Sequence, residues 1–538
     1  MTDTSGTRRR LAGGRSPHRE EFEMEMTIPY RFNMAHYFLD RNLEEGRGEK
    51  VAIRYEDQEI TYRQVVDDSH RMGNALRDLG IEMEDRVLIA LPDCPEFVAT
   101  WFGTLKIGAV FAMVNPRLQT KDYEYYLDYS RAKVLVCDEE VRDKIRPIVK
   151  DARYLKKVVV RGVPDDGQLS YEETMRKASP DLAMADTTRD DVAGWLFTSG
   201  STGQPKANIH RHHDFPYNTE RYAKQVLQMR EDDICLSVAK LFFGYSTGTN
   251  LMFPFAVGGT AALFEERSTP EAIFENISRY RPTVLTNVPT TINKMVQHPD
   301  REKYDLSCIR VCLSAGEALP PDLYKKWKQA FGVEILDGIG SAEMFHIYIS
   351  NRFGEVKPGS LGKLVPGYEA RIVGPDHRNV PQGEIGALWV KGGSAAIGYF
   401  NDHDKSMATF KGEWCISGDQ FRQDEDGCFW YGGRGDDLLK VGGIFVSPVE
   451  IESCLIGHPA VAECAVIGFE EEGLVKPKAF IVPAPGKEAS DALAAELQEF
   501  VKKTIAPFKF PRKVEFIEAI PRNDRGKIDR KSLKARDA

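Results

Sequence analysis

The sequence has no apolar run long enough to span a bilayer. Its most apolar stretch, Phe97 to Val114, is interrupted by Gly103, Lys106 and Gly108 and stopped by Asn115-Pro116. That pattern predicts a buried helix followed by a strand. Cysteine is sparse: nine residues scattered from Cys94 to Cys464 with no paired Cys-x-x-Cys spacing, which reads as reduced structural thiols in a cytoplasmic protein. Basic charge is not in excess. The formal net charge of −9 argues against non-specific nucleic-acid binding. The first twenty residues contain Arg8-Arg9-Arg10 but no apolar core, so they are no signal peptide, and residues 1–22 read as a disordered tail. No repeat and no low-complexity tract interrupts the chain.

What remains is a large globular composition. At 538 residues, with 42% hydrophobic and 28% charged, the chain has room for roughly three to four domain-sized units. From Ile28 to Asp190 short Val/Ile/Leu runs alternate with amphipathic stretches. The spacing predicts a helix from Tyr62 to Leu79, ended by Gly80, and a buried strand from Arg86 to Leu91. The alternation recurs from Gly258 to Ala315, with strands at Thr260–Phe264, Val284–Val288 and Ile309–Ser314 and a helix at Pro270–Tyr280. Beyond Gly354 the texture becomes β, with short strands at Tyr368–Val373, Gly386–Val390 and Gly427–Tyr431. Glycine and charge cluster at Gly433 to Asp437, as in a hinge or linker. The last hundred residues read as a small α+β unit: Ser447 caps a helix with Pro448 at its first position, and a second helix runs from Asp491 to Ile505. The expected fold is therefore α/β. A large N-terminal domain of α/β subdomains plus a β subdomain spans residues 23–435, and a small α+β domain spans 436–538.

Three stretches could meet a ligand. Thr198-Ser199-Gly200-Ser201-Thr202-Gly203-Gln204-Pro205-Lys206 combines two glycines, four hydroxyls and a lysine. Free main-chain N–H groups, hydroxyls and a cation suit a polyanion, and the same composition suits a surface turn. The preceding run Ala193 to Phe197 tips the choice, because it reads as a strand feeding the loop, where α/β folds place ligands. Pro205 between the last glycine and the lysine excludes a Walker A loop. Ala315-Gly316-Glu317 puts a glycine at a strand end, and Val333–Leu336 is read as a strand running into a glycine-rich loop, Asp337 to Glu343. Alone, that loop is a weak signal, since Glu343 also suits a helix N-terminus.

In this order and spacing the motifs resemble the adenylate-forming superfamily of acyl-CoA synthetases, adenylation domains and luciferases, over about Ile28 to Lys534. The resemblance implies that Thr198 to Gly203 and Lys206 hold the ATP phosphates, that Ala315, Gly316, Glu317 and Asp337 flank adenine, and that Asp419 and Arg434 take the ribose. It implies that Glu343 reaches magnesium, that Lys527 is a mobile catalytic lysine, and that Asp436 is the hinge about which the C-terminal domain moves. Lys440, Gly442 and Gly443 would then lie on the pantetheine path of coenzyme A. Within the superfamily, Leu241 to Tyr245, Glu343 to Ile347 and Gly473 to Lys478 are similar to aryl-CoA ligases of the benzoate-CoA ligase type. The implied acid pocket comprises Phe243, Tyr245, Gly338, Gly340, His346 and Ile347. Aromatic walls suit a flat ring, and the pocket motifs contain no Lys or Arg to meet a second full charge. A lone histidine such as His346 is more often structural than ligand-binding, and both roles stay open.

One departure is Ala342, where the family usually has a threonine that donates to the α-phosphate. A hydrogen bond to a charged group contributes about 1.5–3 kcal/mol, so its loss alone predicts a roughly ten- to hundredfold deficit. Ser341 is a neighbouring donor that could replace it. The resemblance implies a ligase using ATP, Mg2+ and coenzyme A on benzoate or a 2-amino- or hydroxy-substituted benzoate. Two alternatives are an aryl-adenylating enzyme that loads a carrier-protein thiol and a non-catalytic relative. Neither a nucleic-acid nor a membrane partner is expected, and the sequence does not choose between monomer and homodimer.

Overall fold

The structure is a computed structural model that describes residues 27–199, 204–435, 439–441, 444–471, 474–522 and 528–536. Among these residues the N-terminal part forms two large, mostly parallel sheets. The first has seven strands, in the order Leu169–Ser170, Lys157–Arg161, Val134–Asp138, Arg86–Ala90, Val110–Met113, Val192–Ser199 and Pro205–Arg211. All pair in parallel except the last two, which form an antiparallel hairpin. The second has nine, with Ile335–Gly340, Val311–Ser314, Val284–Asn287, Ile234–Ser237, Thr260–Leu263 and Val51–Tyr55 in parallel and antiparallel strands added at both edges.

The strands are parallel because helices connect them, and they read as continuous Val/Ile/Leu runs because helices cover both faces. The helix Tyr62–Asp78 opens with a capping box between Thr61 and Gln64. It crosses Pro95–Lys106 at a glycine contact, where a methyl group on Gly103 would lie 2.9 Å from the main chain of Gly73 and Ser69. Both helices share a core with Ile53 and Leu313 of one sheet and Val87 and Phe111 of the other. Lys106 is fully buried in that core and pairs with Asp40 at 2.6 Å. Among the described residues no helix is long and apolar enough to cross a membrane.

A five-stranded antiparallel sheet follows, including Glu369–Val373, Gly386–Lys391, Trp414–Gln423 and Phe429–Arg434. The C-terminal unit packs the helices Pro448–Ile456 and Asp491–Thr504 against a sheet of Val461–Glu471, Leu474–Pro483 and Lys513–Phe516. Ser447 caps the first helix by accepting from Glu450 N, as its sequence position predicts.

Local readings need correction at three places. Asp337 to Gly340 is not a loop but the end of the strand Ile335–Gly340, and a short 3-10 turn, Ala342–Met344, follows Ser341. Its glycines answer to tertiary crowding: a methyl group would lie 2.8 Å from Ile349 O at Gly338 and 2.5 Å from the His346 carbonyl at Gly340. Pro205 and Lys206, assigned to the phosphate loop, belong to the strand Pro205–Arg211. Gly433-Arg434, assigned to the linker, completes the strand Phe429–Arg434, with Arg434 in register with Asp419.

Candidate active site

A cavity of about 500 Å³ opens where three adjacent parallel strands end and the C-terminal unit covers them. Thr290 follows the strand Val284–Asn287, Gly316 and Glu317 follow Val311–Ser314, and Gly338 to Gly340 end their own strand. Ligand sites of open α/β sheets sit beyond such carboxyl ends. Asp419, Tyr431 and Arg434 from the five-stranded sheet complete the N-terminal side, and Arg530 and Lys531 contribute charge from the other. The sequence-predicted adenine and ribose residues Gly316, Glu317, Asp419 and Arg434 thus share one cavity. Ala315 is buried just before it.

Their side chains are already organised. Asp419 accepts from the Ser417 hydroxyl at 3.1 Å and from the Tyr431 phenol at 3.4 Å, with Arg434 Nε 3.7 Å away. Gly316 has φ +89°, a left-handed conformation that frees the backbone to turn towards a ligand. Asp337 is buried, and burial pushes its carboxyl up to about 8, so it is protonated at neutral pH. Its Oδ1 has no hydrogen-bond partner among the described residues.

The two ends of the segment read from the sequence as a phosphate loop pair as antiparallel strands. Thr198 is in register with Lys206, and Ser199 with Pro205. Gly200, Ser201, Thr202 and Gly203 lie outside the described residues. The hairpin is braced from the helix Thr120–Ser130, whose Tyr125 phenol donates to Pro205 O at 2.6 Å while the Tyr129 oxygen accepts from Ala207 N at 3.2 Å. Lys206 is 16% exposed and pairs with Asp402 at 2.5 Å.

Glu343 sits on the 3-10 turn after the glycine-bearing strand, and several far-off residues fix it. Tyr399 donates to its Oε1 at 2.8 Å, and Ala396 N donates to its carbonyl at 2.8 Å. The preceding residue, Ala342, has its carbonyl held by His210 Nε2 at 2.7 Å, while His210 Nδ1 meets Asp214 at 3.0 Å. The Ser341 hydroxyl lies beside the Tyr348 phenol. Among the described residues no cluster of three or more His, Cys, Asp or Glu could hold a metal. A single carboxylate fits the magnesium of a nucleotide, which takes its other ligands from phosphates and water.

Next to this turn lies an aromatic nest, whose His346 meets Gly340 of the cavity-lining strand through its main chain. His346 is 2% exposed and sits 4.7 Å from Phe253, 5.5 Å from Tyr245 and 5.6 Å from Tyr222 between ring centroids. Burial lowers its pKa to about 4, leaving a neutral ring whose Nε2–H donates to Tyr245 O at 3.0 Å. Its Nδ1 and the Tyr245 hydroxyl, both buried, have no partner among the described residues. Ile347 begins the strand Ile347–Ser350, and Phe243 precedes the short helix Gly244–Thr247 that carries Tyr245.

Asp436, Gly442, Gly443 and Lys527 lie outside the described residues, and Lys440 is described only as part of the strand Leu439–Val441. Sequence reasoning missed Tyr399, Asp402 and the His210–Asp214 pair. No local motif marks them, because each is defined by a partner brought in by the fold.

Three adjacent parallel strands that end at one cavity, with a small α+β unit covering it, are the architecture of an adenylate-forming enzyme. A family model described as AMP-binding enzyme matches residues 39–400, and its C-terminal domain model matches 450–527. The chain belongs to the AMP-binding enzyme family. It is 43% identical over 511 residues to a benzoate–CoA ligase of Thauera aromatica, covering 94% of this chain and 97% of that one. It is 38% identical to a 4-hydroxybenzoate–CoA/benzoate–CoA ligase of Rhodopseudomonas palustris, over 94% and 95% of the two chains. The crystal structure of the anthranilate CoA ligase AuaEII in complex with anthranoyl-AMP superposes with a TM-score of 0.91 at 41% identity, over 95% and 98% of the chains.

Proposed function

We propose that the protein is an AMP-forming aryl-CoA ligase acting on benzoate or a small 2-amino- or hydroxy-substituted benzoate such as anthranilate. The observation that carries this reading is the convergence of Gly316, Glu317, Asp419 and Arg434 on one cavity, whose Gly340 touches the main chain of His346 in an uncharged aromatic nest. In the first step a carboxylate oxygen bonds to the α-phosphorus of ATP, the bond to the β-phosphate breaks, and pyrophosphate leaves. In the second a thiol sulfur attacks the acyl carbon, AMP leaves, and the thiol proton passes to solvent.

The first step brings two anions together, so cations and donors aimed at developing charge govern its rate. Lys206 is assigned to the departing pyrophosphate, and Lys527 to the charge between carboxylate and α-phosphate. Glu343 is the residue that would hold the magnesium of ATP, which would supply neutralisation of phosphate charge. Asp419 and Arg434 take the ribose, and Asp337, protonated, has a hydrogen to donate. Phe243, Tyr245, His346 and Ile347 shape the acid site. Neutral His346 keeps an acceptor at Nδ1, which supports a ring substituent bearing N–H or O–H.

We divide the chain into an adenylating domain, 23–435, and a C-terminal domain from 436, with Asp436 as hinge and Lys440 to Gly443 on the thiol path. All nine cysteines are free thiols, which supports a reducing compartment, the cytoplasm. Pyrophosphate exchange with benzoate, anthranilate, the hydroxybenzoates and a medium-chain fatty acid tests the reading. Thioester formation with CoA or a carrier-protein thiol then identifies the acceptor. Aromatic acids should support exchange and CoA should capture the adenylate; activity confined to the fatty acid would overturn the assignment.

A further inference from the structure

Two polar contacts join the units at one edge of the cavity. Glu317 Oε2 accepts from the main-chain N and the hydroxyl of Thr290, at 3.0 and 2.7 Å, where the helix Pro289–Gln297 begins. Its other oxygen, Oε1, faces Arg522 Nη1 at 3.4 Å. Arg522 belongs to the C-terminal unit, and its Nη2 pairs with Glu463 at 3.0 Å on the strand Val461–Glu471. One turn further along the same helix, the Asn293 amide donates to Ala462 O at 3.3 Å. All of these residues line the cavity.

One planar guanidinium therefore joins a carboxylate of each unit. At 23–30% exposure the three side chains are shielded enough for the attraction to exceed that of a surface pair. Thr290 holds Glu317 in place from its own side, so docking of Arg522 requires no rearrangement of the N-terminal part.

We propose that Arg522 is a positioning residue for acyl-adenylate formation. By bridging Glu463 to Glu317 it seats the C-terminal wall of the cavity, with Arg530 and Lys531, against the adenine-side segment. This inference rests on the two-step ligase reading. The first step, which presses a carboxylate onto a triphosphate, depends most on a seated cationic wall. Attack of a thiol on an adenylate already formed brings no second polyanion and depends on it less.

The test uses the full chain, its Arg522→Gln and Arg522→Lys variants, and Asn293→Ala. Two steps are measured separately: single-turnover pyrophosphate release from ATP and benzoate, and thioester formation from supplied benzoyl-adenylate and CoA. Arg522→Gln should slow the first about ten- to hundredfold and leave the second within about twofold. Arg522→Lys, which keeps the charge, should recover the first step to within about threefold of the parent, and Asn293→Ala should slow it by about threefold. Equal losses in both steps would reduce Arg522 to a packing residue, and an unchanged first step would remove it altogether. A parent protein that releases no pyrophosphate with any aromatic acid overturns the ligase reading, and this inference with it. An active parent with equal losses overturns the inference alone.

Discussion

The phenol of Tyr399 donates to Glu343 Oε1 at 2.8 Å, so a residue far along the chain aims the carboxylate assigned to magnesium. Burial, and then the charge of Glu343, raises the Tyr399 pKa, which keeps it a donor. Tyr399→Phe should raise the Mg2+ concentration for half-maximal pyrophosphate exchange about three- to tenfold, within the range of a charged hydrogen bond. Acid selectivity should stay as it is. An unaltered magnesium dependence would argue against the role given to Glu343.

Lys206 and Asp402 make a second such pair. The Lys206 ammonium is paired with Asp402, whose own pKa is lowered mainly by that contact. On the role proposed for Lys206, phosphate oxygens compete with this carboxylate. Asp402→Asn should therefore lower the KM for ATP about two- to fivefold, while Lys206→Met should reduce kcat/KM for ATP about 10²- to 10³-fold. Initial-rate kinetics in ATP decide both.

Gly248 is helical, with φ −63°, so alanine is compatible with its backbone, but a methyl group there would lie 2.4 Å from His346 Cδ2. Gly248→Ala should displace the imidazole. Overpacking of this kind costs about 1–3 kcal/mol, which, falling on the bound state, corresponds to a loss of about five- to 150-fold in kcat/KM for the aromatic acid. The KM for ATP should hardly move. Parallel titrations of acid and ATP separate the two.

Asp337 makes stability depend on pH. Its folded pKa, about 8, lies above the unfolded carboxylate value, so its contribution is fully present below about pH 4 and is lost as pH rises towards 8. Each unit costs about 1.36 kcal/mol, so from pH 5 to 8 the upper bound is about 4 kcal/mol. Asp337→Asn, which cannot ionise, should gain on the parent steadily across that range. His346 works in the opposite sense: with its pKa lowered to about 4, its contribution is present above about pH 6.5 and fades as pH falls towards 4. Urea midpoints at several pH values measure both trends.

Much of the scaffold is legible in the sequence, because buried parallel strands and amphipathic helices have local signatures. The helix from Tyr62, its closing glycine Gly80 and the strand from Arg86 all follow from spacing and helix-stop residues. The linear order of motifs also carried the family resemblance. Gly338 and Gly340 misled because glycine clusters signal turns, whereas here they relieve a clash with Ile349 and His346 that only the fold creates. Tyr399, Asp402 and Arg522 were invisible for a related reason. Their significance lies in partners that are distant in sequence, and a tyrosine, an aspartate or an arginine in isolation has no pattern to read.

The strand Ile335–Gly340 faces the nucleotide cavity with Gly338, Ile339 and Gly340, and Gly340 also touches the main chain of His346. Position 340 therefore has no room for a side chain, because anything larger has to push the main chain of His346, the residue at the centre of the aromatic nest. A substitution at Gly340 would be felt on the cavity side and in the nest at once, so the two cannot be altered independently from this strand.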